Sequence, residues 1–182
     1  MSALTPLRGP PGHPLHAALS DLVVGMFVLA TGLACVSYIG WATEPAGKGA
    51  WLAIVSGLAA ATITATTGLI DWLFIPWGSA AWKTATVHML VMVTTVVLYG
   101  LAAWRQWFGY LHGSVTTSGL VLVCVGLATL LLGGFFGGSV VFVHGMRVLR
   151  LLPPQESKTE PPSAGSTSVK GRLVDPEQKG TS

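Results

Sequence analysis

Residues 117–147 read TSGLVLVCVGLATLLLGGFFGGSVVFVHGMR, with no Asp, Glu, Lys or Arg before Arg147. A hydrocarbon core of about 30 Å needs about 20 apolar helical residues. This run exceeds that length, so it is expected to cross a bilayer and to tilt or project beyond it. Three earlier runs, at residues 19–42, 50–75 and 80–104, have the same character. Between Asp21 and Leu149 the only charged side chains are Asp21, Glu44, Lys48, Asp71, Lys83, Arg105 and Arg147. Over the whole chain 51% of residues are hydrophobic and 9% charged, against about 25% charge in an average soluble domain. No water-soluble surface can be built from such a stretch. The fold class expected is an all-α integral membrane four-helix bundle, residues 13–150, after a short segment 1–12.

The connections are marked by turn chemistry. Gly12-His13-Pro14 opens the first span, and proline suits a first helical position, so that helix starts near Pro14. Residues 44–49 read as a turn. Pro76 ends the second span because it cannot continue the helical ladder, and Pro76-Trp77-Gly78-Ser79 turns the chain. Residues 105–116 form the third connection. All seven tryptophans lie at or just beyond span ends, the depth at which an apolar ring with one N–H is favoured. From Pro153 proline, serine, lysine, glutamate and glycine dominate. Such a segment buries too little apolar surface to offset its ordering entropy, so residues 151–182 are expected to be a disordered polar tail.

An even number of spans puts both termini, and the short turn at Pro76, on one face. Arg8, Lys83, Arg147 and Arg150 flank the membrane there, against Lys48 and Arg105 on the far face. The positive excess predicts cytoplasmic termini in a bacterial inner membrane. The net charge of +3 comes from span ends and tail. No basic face interleaves with aromatics, so nucleic acid is not an expected partner; the bilayer is. The first apolar run is too long for a signal-peptide core. Cys35 and Cys124 both fall within apolar runs, without a disulfide framework or zinc-ligand spacing, and read as small packing residues.

The polar residues gather in one leaflet. His13 and His16 precede the first span, and Asp21 lies in its opening turns. Asp71 lies late in the second span, His88 early in the third, and His144 at the end of the fourth. Only His112 belongs to the far face. Ionisable groups inside a span cost about 2.5–3.5 kcal/mol at mid-membrane, so such groups are paired or functional. His16, His88 and His144 are expected to converge beneath the terminal face, with His13 nearby at i,i+3 spacing from His16. Asp21 or Asp71 is the expected partner that orients a ligating imidazole. Such a set suits a haem, a metal ion, or mutual pairing. Gly133-Gly134 and Gly137-Gly138 supply small-xxx-small spacing, which lets helices approach closely or leaves room for a flat cofactor. Spans one and three begin with histidines, and spans two and four end with Asp71 and His144, which suggests a doubled two-helix unit.

At these residues the chain resembles the bacterial membrane-protein family catalogued as domain of unknown function 2231. The likeness is carried by Gly12-His13-Pro14-Leu15-His16, by Thr67-Gly68-Leu69-Ile70-Asp71-Trp72, by His88, and by Gly137-Gly138 through Val143-His144-Gly145. It covers residues 12–148. Ala17 stands where the family often has proline, and Ser20-Asp21 where it more often has a histidine or an apolar pair. The resemblance implies a four-helix membrane module, sometimes joined to Rieske-type or cytochrome-type redox domains.

Histidine ligation of haem in a helix bundle is ordinary chemistry. The leading expectation is therefore a membrane redox module binding haem b, exchanging electrons with quinone or a partner subunit. The competing readings are an ion or metal transport component using the carboxylate–histidine set as a relay, and a structural subunit of a membrane complex. No nucleophile–base set, phosphate loop or HExxH helix is present, so an enzyme acting alone is the least favoured reading.

Overall fold

A computed structural model describes Gly9 and residues 13–146 of the chain. Four helices follow in order: α1 (Leu15–Tyr38), α2 (Thr43–Leu73), α3 (Ala80–His112) and α4 (Thr117–Phe142). All four are long and apolar enough to span a membrane, and among the described residues there is no strand. The expected tail, and Arg8, Arg147 and Arg150 with it, lie outside the described residues.

Helix ends depart from the sequence reading in four places, the first being that α1 ends at Tyr38 rather than Ala42. The turn expected at residues 44–49 is instead the opening of α2. Pro45 falls in its first turn, where a missing N–H costs nothing, and Glu44 accepts from Lys48 Nζ at 2.6 Å one turn on. The reversal is compressed into residues 39–42, with Gly40 at φ +85° and Ala42 at φ +53°. The third connection shrinks to residues 113–116, because α3 continues to His112 after leaving the apolar zone. Its last turns remain packed: Trp107 and Tyr110 lie 5.1 and 4.6 Å from Trp51 between ring centroids. α4 stops at Phe142 rather than Arg147, and Gly145 at φ +60° turns the chain beyond it. Where side chains cap helices, the caps are hydroxyls. Ser79 Oγ accepts from Trp82 N and Thr116 Oγ1 from Gly119 N, each at 3.1 Å, supplying acceptors for orphan N–H groups.

α1 packs chiefly on α2 and α3 chiefly on α4; the two hairpins then close through α2–α3 and α1–α4. α1 and α3 thus stand on one diagonal, facing each other across the bundle axis. The axial core contains Phe27, Ile54, Tyr99, Val123 and Leu130, all with almost no exposure. Lipid supplies little hydrophobic drive for helix association, so close packing must do it. The aromatic belts expected from the sequence also lock helices together. Trp72 donates its Nε1–H to Thr86 Oγ1 at 2.9 Å near the terminal face, and Trp51 donates to Ala103 O at 3.0 Å near the far face.

The doubled unit suggested by the polar residues is present in the packing. His16 and His88, and likewise Phe27 and Tyr99, are each 72 residues apart in sequence (16 to 88, 27 to 99) and meet across the axis. Their helical partners repeat as well. Gly57 faces Phe27 as Gly126 faces Tyr99, and Gly68 faces His16 as Gly137 faces His88. The two hairpins therefore place equivalent residues around a pseudo-two-fold axis running along the bundle.

Candidate functional site: a histidine pair across the bundle axis

His16 is the second residue of α1 and His88 the ninth of α3. They lie at one level because α1 begins about seven residues, or roughly 10 Å at 1.5 Å per residue, deeper than α3. Their ring centroids are 6.3 Å apart and their planes 81° from parallel. Both rings are half-buried.

Each imidazole is fixed by the partner helix of its own hairpin. His16 Nδ1–H donates to Thr64 O on α2 at 2.9 Å. His88 Nδ1–H donates to Gly133 O on α4 at 2.8 Å. A carbonyl only accepts, so each Nδ1 carries the proton, and a neutral ring keeps its lone pair on Nε2. Four residues beyond each carbonyl stands a glycine, one turn along the same helix face. A Cβ on Gly68 would lie 2.6 Å from Cε1 of His16, and one on Gly137 2.9 Å from Cε1 of His88. The rings can reach the carbonyls only because those positions have no side chain.

This assigns the glycines of α4 a role different from a cofactor slot. Gly133 and Gly137 make room for Met92 and His88, whereas a Cβ on Gly134 would meet nothing within 4 Å. Close approach of α3 and α4 is their function.

The expected three-histidine convergence is reduced to a pair. Thr84 Oγ1–H donates to Ala80 O at 3.1 Å, so Thr84 Oγ1 accepts from His144 Nε2–H at 3.0 Å. His144 is thus held in the opposite tautomer, bonded to α3 one turn closer to the terminal face than His88. Among the described residues no three His, Cys, Asp or Glu side chains gather as a metal-ligand group. His13 is exposed just before α1, and His112 is exposed at the far end of α3. Asp21 is exposed on α1 and Asp71 half-buried on α2. The orienting role expected of a carboxylate is filled by the backbone carbonyls of Thr64 and Gly133. Sequence reading missed these, because any residue type presents a carbonyl. The available signal was the small-xxx-small spacing, Thr64 to Gly68 and Gly133 to Gly137.

A four-helix membrane bundle with a symmetric pair of oriented histidines in one leaflet is the class this geometry defines. The family model described as a predicted membrane protein, domain of unknown function 2231, matches residues 12–150, and the chain belongs to that family. No curated protein and no solved structure matches it.

Proposed function

We propose that this chain is a membrane electron-transfer module in which His16 and His88 would ligate a haem b. The supporting observation is the pair itself: two imidazoles from diagonal helices, each with Nδ1–H fixed on a carbonyl and Nε2 left as the donor atom. Such outer partners set the tautomer and raise the basicity of a ligating ring. The spacing suits the role. The two ring centroids are 6.3 Å apart across the bundle axis, near enough for both imidazoles to reach one metal ion.

The ligand count favours haem over a bare ion. A structural zinc site takes four protein ligands, whereas a porphyrin brings four nitrogens and asks the protein for one or two axial ligands. Bound haem would supply a one-electron couple. The protein's part is to hold two neutral donors, keep their rings from turning, and exclude water. A quinone or a partner subunit is the electron partner this reading assigns. This reading puts the site in the cytoplasmic leaflet of a bacterial inner membrane, supported by the excess of positive residues that the sequence carries on the terminal flanks.

The test is spectroscopic. Protein expressed with added haem precursor and purified in detergent should show a Soret band that shifts on reduction with dithionite. His88→Ala should abolish it. A colourless wild-type preparation would leave the histidine pair a packing element and refute the redox reading.

A further inference from the structure

We propose that the outer groove between α3 and α4 at the far face seats one anionic phospholipid, with its phosphate on Arg105 and its acyl chains running inward from there. The groove has a volume of about 660 Å³. Its lining changes character along its length. At the membrane boundary it offers Arg105, Thr117 and Ser118, beside the indole of Trp104. One turn deeper it offers Leu101, Val121 and Leu122. The antiparallel register of the two helices sets this order, because α3 leaves the apolar zone where α4 enters it. A groove charged at its rim and apolar beneath follows the polarity of a lipid, headgroup outward and chains inward. Trp104 and Val121 are 73% and 55% exposed, so the groove opens sideways to the bilayer.

Charge selects the occupant. The carboxylate side chains among the described residues are Asp21, Glu44 and Asp71. Glu44 is taken by Lys48 Nζ at 2.6 Å, and Asp21 and Asp71 lie toward the terminal face. Arg105 is exposed and has no ionic partner among the described residues. A guanidinium at the membrane boundary is stabilised by an anion, and lipid phosphates lie at that depth. Phosphate oxygens match the guanidinium fork in paired hydrogen bonds, and basic pockets between membrane helices hold lipid headgroups in this way. The hydroxyls extend the cradle. Thr117 Oγ1 lies 3.2 Å from Tyr38 Oη, and Ser118 Oγ 3.4 Å from Thr116 Oγ1. With the neighbouring hydroxyl donating, Thr117 and Ser118 each keep their own proton for a phosphate oxygen. A zwitterionic lipid brings its own cation to the same phosphate, so a lipid of net negative charge is the better match. Arg105 is seventeen residues from His88 along α3 (88 to 105), or roughly 25 Å at 1.5 Å per residue, so the site does not depend on what the histidine pair binds.

The experiment is native mass spectrometry of the full-length protein in non-ionic detergent, supplied with equimolar dioleoyl-phosphatidylglycerol and dioleoyl-phosphatidylcholine. Wild type should retain one phosphatidylglycerol in preference to phosphatidylcholine by about fivefold, the order expected of one basic residue beside an anionic headgroup. Arg105→Gln should keep its helical circular dichroism and retain the two lipids about equally. Val121→Trp, which fills the apolar part of the groove, should lose the preference with Arg105 still present. Lys83→Gln, at the terminal face, should behave as wild type. Equal retention of the two lipids by wild type, or no retained lipid, would overturn the proposal. So would a preference that survives Arg105→Gln or Val121→Trp, or one that disappears in Lys83→Gln. The wild-type and Lys83→Gln results decide it even if the groove variants fail to fold.

Discussion

A Cβ on Gly57 would stand 2.7 Å from Cε1 of Phe27, so the ring can lie where it does only against a residue without a side chain. Phe27 in turn stacks on Tyr99 with centroids 3.9 Å apart and planes 5° from parallel. Gly126, the counterpart of Gly57 in the second hairpin, lies against Tyr99 in the same way. The centre of the bundle is thus two aromatic rings held between two glycines.

Alanine at either glycine should therefore strain the core. Overpacking a well-filled interior costs about 1–3 kcal/mol, and Gly57→Ala and Gly126→Ala should each lower the SDS unfolding midpoint. Gly25→Ala is the control, because nothing lies within 4 Å of a Cβ at Gly25; it should be neutral or slightly stabilising. Equal behaviour of all three variants would contradict the packing described.

Tyr99 breaks the symmetry of the stack. Its hydroxyl donates to Phe27 O at 3.2 Å and lies 2.8 Å from Thr31 Oγ1. Tyr99→Phe should keep the stack and lose these bonds, at a cost of about 0.5–1.5 kcal/mol in unfolding measurements. A loss as large as that of Tyr99→Ala would mean that the ring itself had moved.

Gln106 should behave in the opposite sense. Its side chain is 1% exposed, and neither Nε2 nor Oε1 has a hydrogen-bond partner among the described residues. Leaving a buried polar group unsatisfied costs about 1–3 kcal/mol. Gln106→Met, close in volume, should leave the protein as stable or make it more so. A marked destabilisation would show that the amide is held by a group bound at that site.

The orientation proposed for the chain is read from the positive flanks. A periplasm-active alkaline phosphatase fused after Ser182 should be silent, and the same enzyme placed in the connection after Gly113 should be active. The reverse pattern would move the histidine pair to the outer leaflet.

Much of this was legible in the sequence, for identifiable reasons. The uninterrupted apolar run before Arg147 and the punctuation at Pro76 fix the number of helices. The ends were less legible. Hydropathy reports where the chain leaves hydrocarbon rather than where helical hydrogen bonding stops. α3 therefore continues past Trp104 to His112, and α2 begins before its apolar run. His16 and His88 were readable as charge-capable residues in an apolar setting. That His144 would turn to Thr84 was not, since a threonine hydroxyl one turn away competes on equal terms and leaves no pattern. Nor was the offset of α1 against α3, which brings His16 level with His88; it depends on how far α3 projects beyond the start of α1.

The measurement that tests the histidine pair most directly is a haem-to-protein ratio and a reduced-minus-oxidised spectrum across four single variants. His16→Ala and His88→Ala should each lose the low-spin bis-histidine spectrum. His13→Ala and His144→Ala should retain it at about one haem per chain, because neither ring belongs to the pair that faces across the axis. A spectrum that survives in His16→Ala and vanishes in His144→Ala, or a wild type with no haem at all, would contradict the assignment of His16 and His88 as the site.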